Sequence, residues 1–266
     1  MALIREAIPA AWPARAVCLQ FSVRFGAPEV NLALVRRRLA ELAPAAPALV
    51  VLPELWGGGF AYDRLEEQAA LTPRILAALV EEARRYEICL AGSLPEKATG
   101  GDESGYYNSL YLATPAGVAG PYRKQRLFAP MEEERYFRPG PLASPLAAPW
   151  GPLAALVCFD LRFPELVAGQ VDQGADLLVV SAQWPTARRE HWRILLQARA
   201  IENQIFVVAC NTCGLVGGTD FAGASLIIAP DGAILAEAGP GEESLAAPLD
   251  FARLAEARRL FQTRRR

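Results

Sequence analysis

At 266 residues the chain can bury a large core, and 52% hydrophobic against 21% charged residues fits a globular protein rather than a disordered one. A formal net charge of -2 gives no electrostatic footprint for nucleic acid or an anionic membrane. No apolar run approaches the roughly 18 residues of a membrane span, and Glu6 and two prolines break up the opening MALIREAIPAAWPARAV, so it does not read as a secretory signal. The terminal Arg264-Arg265-Arg266 reads as a short solvated tail. Five cysteines, at 18, 89, 158, 210 and 213, are odd in number and scattered, which suits a reducing cytoplasm better than a disulfide framework. The single histidine, His191, excludes a His-rich metal site and leaves any Cys-His or Ser-His mechanism to that one residue.

Strand-like and helix-like segments alternate along the chain. RAVCLQFSV reads as a first strand, and NLALVRRRLAEL as a helix with Leu32, Val35, Leu39 and Leu42 on one stripe. ALVVLPEL is a β-branched run stopped by Pro53. Thr72-Pro73 has the form of an N-cap followed by proline in the first turn, opening a helix that presents Ile75, Leu76, Leu79, Val80 and Ala83. EICLAGSL and NSLYLATPAG are strands, the second ending in a turn around Pro115 and Gly117. In the second half PLAALVCFD is a strand, Pro164 to Gln173 a helix closed by Gly174, ADLLVVSAQ a strand, and EHWRILLQARAIENQ a helix with Trp192, Leu195, Leu196 and Ala200 inward. IFVVACN, ASLIIAP and AILAEAG complete the set, with Asp231-Gly232 as a hairpin signal between the last two. KATGGDESG is the longest irregular stretch, and SPLAAPWGP is a connector. The reading is therefore one α/β domain over residues 1–266. Its strands are continuously apolar, which implies sheets covered by helices on one face and buried on the other. Helix pairs in both halves hint at pseudo-symmetry.

Three residues stand where chemistry is possible. Cys158 follows a buried strand and precedes FDLRFP, which leads into a helix. A thiol on such a strand-to-helix turn is presented at a sheet edge, where the helix N-terminus favours a thiolate and a following N–H is available to an oxyanion. An inert core cysteine fits the same position. Glu54 comes straight after a buried run and a proline, as a general base held at a desolvation cost or as a surface residue past the strand end. Lys124 in GPYRKQRLF is either a solvated turn charge or a fixed cation for a developing oxyanion. The three glutamates of MEEERYFRPG are anchored by Tyr136, Phe137 and Pro139. Cys210 and Cys213 form a lone CxxC that suits packing better than zinc. The glycines at 57–59 and 217–218 lack phosphate-loop spacing. His191 reads as a packing or capping residue.

Together PELW around Glu54, YRKQRLF around Lys124 and LVCFDLRFPE around Cys158 resemble, in order and spacing, the three catalytic segments of the nitrilase (carbon–nitrogen hydrolase) superfamily. YYNSLYLATPAG, QWPTARREHWRILLQARAIENQ and SLIIAPDG extend the resemblance over nearly the whole chain, nearest to the omega-amidase-like branch. The resemblance implies an α/β fold, a four-layer α-β-β-α sandwich, commonly a homodimer or higher homo-oligomer. It implies a small-molecule amide substrate of the 2-oxoglutaramate type, no metal or organic cofactor, and no nucleic-acid or membrane partner. It assigns Glu54 as base, Cys158 as nucleophile, and Lys124 with the Phe159 N–H to the oxyanion. Glu133 is the best match for a second glutamate that orients Lys124. The Tyr107-Asn108 and Gln183-Trp184 regions are expected at the pocket, with Trp184 the better lining candidate, while Asp160 and Arg162 are expected to be local structural partners. Arg162 and Arg188 are candidates for a substrate carboxylate. N-carbamoyl amino acid amidohydrolase, nitrilase and deaminated-glutathione amidase are alternative chemistries. Thiol acyl transfer and a non-catalytic binding role fit less well.

Overall fold

A computed structural model describes residues 13–98 and 105–260. The start of the opening segment, most of KATGGDESG and the three terminal arginines lie outside the described residues. In chain order the elements are β1 (Arg15–Gln20), α1 (Pro28–Leu42), β2 (Ala48–Val51), α2 (Leu65–Tyr86), β3 (Cys89–Lys97), β4 (Tyr106–Thr114), β5 (Gly117–Arg123), β6 (Leu146–Ala148) and β7 (Gly151–Val157). They continue as α3 (Pro164–Asp172), β8 (Leu177–Ala182), α4 (Arg189–Asn203), β9 (Phe206–Asn211), β10 (Cys213–Val216), β11 (Thr219–Ala222), β12 (Leu226–Ile228), β13 (Ile234–Glu237), β14 (Glu243–Pro248) and α5 (Phe251–Leu260).

Two six-stranded sheets carry the fold, ordered β14-β1-β2-β3-β4-β5 and β13-β12-β9-β8-β7-β6. Period-two side-chain alternation explains the layering. Along β1, Val17 and Leu19 pack outward with Leu32, Val35 and Leu39 of α1 and with Ile75, Leu79 and Ala83 of α2. Ala16 and Cys18 point the other way, into a core shared with β7, β8 and β9, which also takes in Val167 and Val171 of α3 and Trp192, Leu196 and Ala200 of α4. The result is the expected α-β-β-α sandwich.

The pseudo-symmetry hinted at by the helix pairs is a repeat of topology. In the first sheet β14 pairs antiparallel with β1, β1-β2-β3 run parallel, and β4 and β5 follow antiparallel. The second sheet repeats the plan with β6 against β7, parallel β7-β8-β9, then antiparallel β12 and β13. The Asp231-Gly232 hairpin forms between β12 and β13: Gly232 has φ 84° and the Asp231 carboxylate accepts the Ala233 N–H at 3.0 Å.

Thr72-Pro73 does not open α2, which begins seven residues earlier at Leu65 and carries Pro73 inside it. Leu65, Gln68, Ala69 and Thr72 are all buried, so the inward stripe continues through the expected cap. The Thr72 hydroxyl donates to the Pro95 carbonyl at 2.7 Å rather than capping the helix. Glu66 and Glu67 stand in the true first turn, where the helix dipole favours them. β5, the β10–β11 hairpin, β14 and α5 carry no strong sequence signal, and the expected connector SPLAAPWGP contains β6, which pairs antiparallel with β7.

Candidate active site

Glu54 follows β2, Lys124 follows β5, Cys158 follows β7 and Gln183 follows β8, and the four segments meet. Glu54 is fully buried, as are Lys124 and Glu133 to within 1%. One Glu54 oxygen accepts the Lys124 ammonium at 2.7 Å and the Asn108 side-chain amide at 2.8 Å. The other accepts the Gln183 N–H at 3.0 Å, while the Gln183 side chain donates back to the Glu54 carbonyl at 2.8 Å. These reciprocal bonds tie the ends of β2 and β8 together.

Lys124 also donates to Glu133 at 2.6 Å. Of the three consecutive glutamates only Glu133 turns inward; Glu132 and Glu134 are exposed. Its second oxygen accepts the Phe128 N–H at 2.8 Å, which ties the loop carrying it to the chain just past Lys124. Lys124 is fixed along its backbone as well: its N–H donates to the Asn108 carbonyl at 2.9 Å and its carbonyl accepts the Gly140 N–H at 2.7 Å. A Cβ at Gly140 would sit 2.3 Å from the Arg123 carbonyl oxygen, so this close approach requires glycine.

Cys158 has φ 45°, a left-handed conformation that costs a non-glycine residue roughly 1 kcal/mol or more. It begins a single 3-10 turn over Cys158–Arg162. Arg199 of α4 clamps that turn by donating twice to the Leu161 carbonyl, at 2.8 and 3.2 Å. The Cys158 thiol donates to the Gln183 carbonyl at 3.6 Å.

The electrostatics correct one expectation. The turn was expected to favour a thiolate. Instead burial, followed by the charge of Glu54, pushes the Cys158 thiol well above its usual range, and Lys124 only partly offsets this. This favours the neutral thiol, which could act as a nucleophile only with a base to take its proton. Burial alone would lower the Lys124 pKa, but Glu133 and Glu54 together hold it well above the usual lysine range. Burial raises Glu133 to about 7 against the pull of Lys124.

A cavity of about 300 Å³ opens over this cluster. Lys124, Glu133, Cys158 and Gln183 are among its lining residues. Phe60, Phe128, Phe159 and Trp184 supply apolar wall, and Arg162, Arg188 and His191 also line it. Trp184 is held by an indole N–H bond to the Arg188 carbonyl at 2.8 Å. The Arg162 guanidinium lies 4.9 Å from the Trp184 ring centroid and 3.3 Å from His191 Nδ1. Among the described residues, no cluster of His, Cys, Asp and Glu could hold a metal ion.

Tyr107 does not belong to the cavity. Its ring packs 4.3 Å from the Arg123 guanidinium. Its neighbour Asn108 points the other way, onto Glu54. Along β4, Leu110 and Leu112 face the inter-sheet core whereas Tyr111 and Ala113 face the helices. Even-numbered positions therefore point inward, and this alternation was available as a sequence signal. Gly140 and Arg199, whose bonds hold the Lys124 carbonyl and the turn after Cys158, carry no signal in the sequence that marks them for the site.

The carbon-nitrogen hydrolase family profile matches residues 15–259. A 2-oxoglutaramate amidase of Bacillus subtilis (strain 168) is 37% identical over 244 residues, spanning 91% of this chain and 92% of its own length. Among solved structures, the CN-hydrolase superfamily protein XC1258 of Xanthomonas campestris, with an arsenic adduct in its active site, matches with a TM-score of 0.85. It is 30% identical and the match covers 94% of this chain and 96% of that one. A mutant amidase from Nesterenkonia sp. AN1 shows covalent addition of the acetamide moiety of fluoroacetamide at its active site cysteine. It matches with a TM-score of 0.78 at 31% identity, covering 95% of this chain and 96% of that one.

Proposed function

Because this chain belongs to the carbon-nitrogen hydrolase family, we propose that it hydrolyses the amide of a small carboxylate-bearing monoamide, of the 2-oxoglutaramate type, through a thioester on Cys158. The observation that carries this reading is a buried Glu54–Lys124–Glu133 cluster beside a strained cysteine on the wall of a cavity that also presents arginines.

Glu54 takes the thiol proton, and the thiolate attacks the amide carbonyl carbon. The oxyanion that forms is held by the Lys124 ammonium and the Phe159 N–H. The tetrahedral intermediate collapses as Glu54 returns its proton to the leaving nitrogen, and ammonia departs. Glu54 then deprotonates water, which attacks the thioester. Collapse expels the Cys158 thiolate, leaves a carboxylic acid, and returns the proton to sulfur. Glu133 and Asn108 keep Lys124 and Glu54 in place. A carboxylate in place of imidazole as base removes the need for a histidine in the proton transfers.

Arg162, its guanidinium against Trp184, and the exposed Arg188 suit the remote carboxylate of such a substrate. A cavity of about 300 Å³ is at the small end for ligand sites and favours a short monoamide over a peptide-sized one. We place the enzyme in the cytoplasm, since all five cysteines are free. We expect one domain and a homo-oligomer, for which Ile194 and Ile201, exposed on α4, offer apolar surface.

The test is ammonia release from a panel of ω-monoamides, N-carbamoyl amino acids and nitriles, with Cys158→Ala as control. Turnover of 2-oxo-ω-amides that vanishes in Cys158→Ala is the expected result. Preference for a carbamoyl compound or nitrile would reassign the substrate, and activity surviving in Cys158→Ala would remove the mechanism.

A further inference from the structure

Asp160 is a buried carboxylate to which the reaction above gives no task. It lies two residues past the nucleophile and is fully buried. Its two oxygens accept four hydrogen bonds: the Tyr122 hydroxyl at 2.9 Å and the Val157 N–H at 3.2 Å on one, the Arg126 N–H at 2.8 Å and the Gln125 N–H at 3.2 Å on the other. Every partner is a donor, and none is the cation of an ion pair. An ion buried in this way is costly unless what it holds repays it.

The four donors come from two places. Val157 immediately precedes Cys158 and closes the nucleophile turn. Tyr122, Gln125 and Arg126 bracket Lys124 on both sides. One carboxylate thus joins the strained turn that carries the thiol and the oxyanion N–H to the segment that carries the ammonium. These segments come from different sheets, and the Asp160 carboxylate bonds directly to both.

We infer that Asp160 is a positioning residue for the reaction: as a carboxylate ion it sets the placement of Cys158 and Phe159 relative to Lys124. The inference rests on the reading of Cys158 as nucleophile. Only an ionised carboxylate meets four donors with acceptors on both oxygens. Asparagine has nearly the same shape but must turn an NH2 group toward backbone N–H donors, so a bond to Val157 or to the Gln125–Arg126 pair is lost. The charged and titratable groups facing Asp160 are Tyr122, which donates to it, and Lys124 at longer range; both stabilise the ion against burial, which raises its pKa to about 6.

The experiment compares wild type, Asp160→Asn, Cys158→Ala and Glu133→Gln with and without Tyr122→Phe, measuring ammonia release from the best amide of the panel across pH 5 to 8, with circular dichroism and thermal melting as folding controls. Asp160→Asn is expected to keep a cooperative melt, lose kcat by roughly 100-fold or more and change KM less than about threefold, the signature of misplaced catalytic groups rather than lost substrate contacts. Tyr122→Phe removes a bond to the ionised form only; in a Glu133→Gln background, where the limb set by Glu133 is absent, the remaining acid limb of kcat is expected to move to higher pH by several tenths of a unit. This second variant decides the matter if Asp160→Asn does not fold. A folded Asp160→Asn with kcat within threefold of wild type overturns the inference, as does an acid limb that Tyr122→Phe leaves unmoved in the Glu133→Gln background. Activity in Cys158→Ala would instead strike the underlying reading of the site.

Discussion

Two buried polar clusters hold the sheets together, and they are built in opposite ways. One is neutral. The Gln20 amide oxygen accepts the Ser225 N–H and hydroxyl at 2.9 and 2.8 Å, and its nitrogen donates to the Gly239 and Gly241 carbonyls. Asn211 accepts the Trp184 N–H at 2.7 Å and donates to the Gly223 carbonyl at 2.8 Å, and Thr212 donates to the Phe21 carbonyl at 2.7 Å. The other cluster sets Glu54 and Glu133 around Lys124, with Asp160 close by. It also leaves the side-chain oxygens of Asn108 and Gln183 buried without a partner among the described residues. The fold can therefore join its strand ends with neutral amides alone. The costlier charged solution on one side only marks that side as the place where charge is used.

The cysteines sharpen the contrast. Cys158 and Cys210 are both buried thiols that donate to a carbonyl, and burial pushes both well above the usual range. Cys210 faces Cys18 and Ser225, whereas Cys158 faces Glu54 and Lys124. Their difference in function lies in that company.

The largest effects should come from breaking the charged cluster. Glu54→Gln is expected to lower kcat by about 10³-fold or more, since it removes the base for both half-reactions, as steady-state ammonia release would read. Lys124→Met should abolish activity and, by leaving two buried carboxylates face to face, cost about 3–5 kcal/mol in urea unfolding. A variant as stable as wild type would mean that the ion pairs contribute little.

Next comes pH. Glu133, raised to about 7, gains a proton as the pH falls through that value and loses its charge attraction for Lys124. Activity should therefore rise between about pH 6 and 8. Stability should respond in the opposite sense. A carboxylate whose folded-state pKa is raised contributes stability that is present below its unfolded pKa and lost as the pH rises through about 7. Opposed trends in kcat and in urea midpoint across that window are expected. Glu133→Gln should remove this group's share of both, lowering kcat about 10- to 100-fold.

A smaller effect is expected from the neutral cluster. Gln20→Ala should cost about 1–3 kcal/mol in urea unfolding by stranding the Ser225 donors, with kcat per folded molecule within twofold of wild type. A large loss of kcat at Gln20 would erase the distinction between the clusters.

Much of this contrast is legible in the sequence, for identifiable reasons. Glu54 and Cys158 each follow an apolar run, but it was the resemblance of the PELW, YRKQRLF and LVCFDLRFPE segments, in order and spacing, to one family that singled them out with Lys124. Glu133 was the best match to the family pattern by its place before Pro139-Gly140, with Glu132 and Glu134 left as neighbours one residue away; burial separates them. What was missed depends on contacts distant in sequence. The true start of α2 depends on the burial of Leu65 and Ala69, which outweighs a local Thr-Pro cap signal. Of the Tyr107-Asn108 pair only Asn108 turns to the buried cluster, because adjacent strand residues face opposite sides of the sheet. The sequence motif gave Gly140 a place but not its task, which appears only once its N–H is seen on the Lys124 carbonyl. At Cys158 the dipole of the turn is visible in a sequence, whereas the burial that outweighs it and raises the thiol pKa is not.

The most direct test of the central claim is to expose the folded protein to fluoroacetamide, an amide-bearing alkylating agent, and map the adduct by peptide mass spectrometry. The account predicts addition of the acetamide moiety at Cys158 alone, greatly slowed in Glu54→Gln, with Cys18, Cys89, Cys210 and Cys213 unlabelled. Labelling that favours another cysteine, or labelling of Cys158 that is indifferent to Glu54, would contradict it.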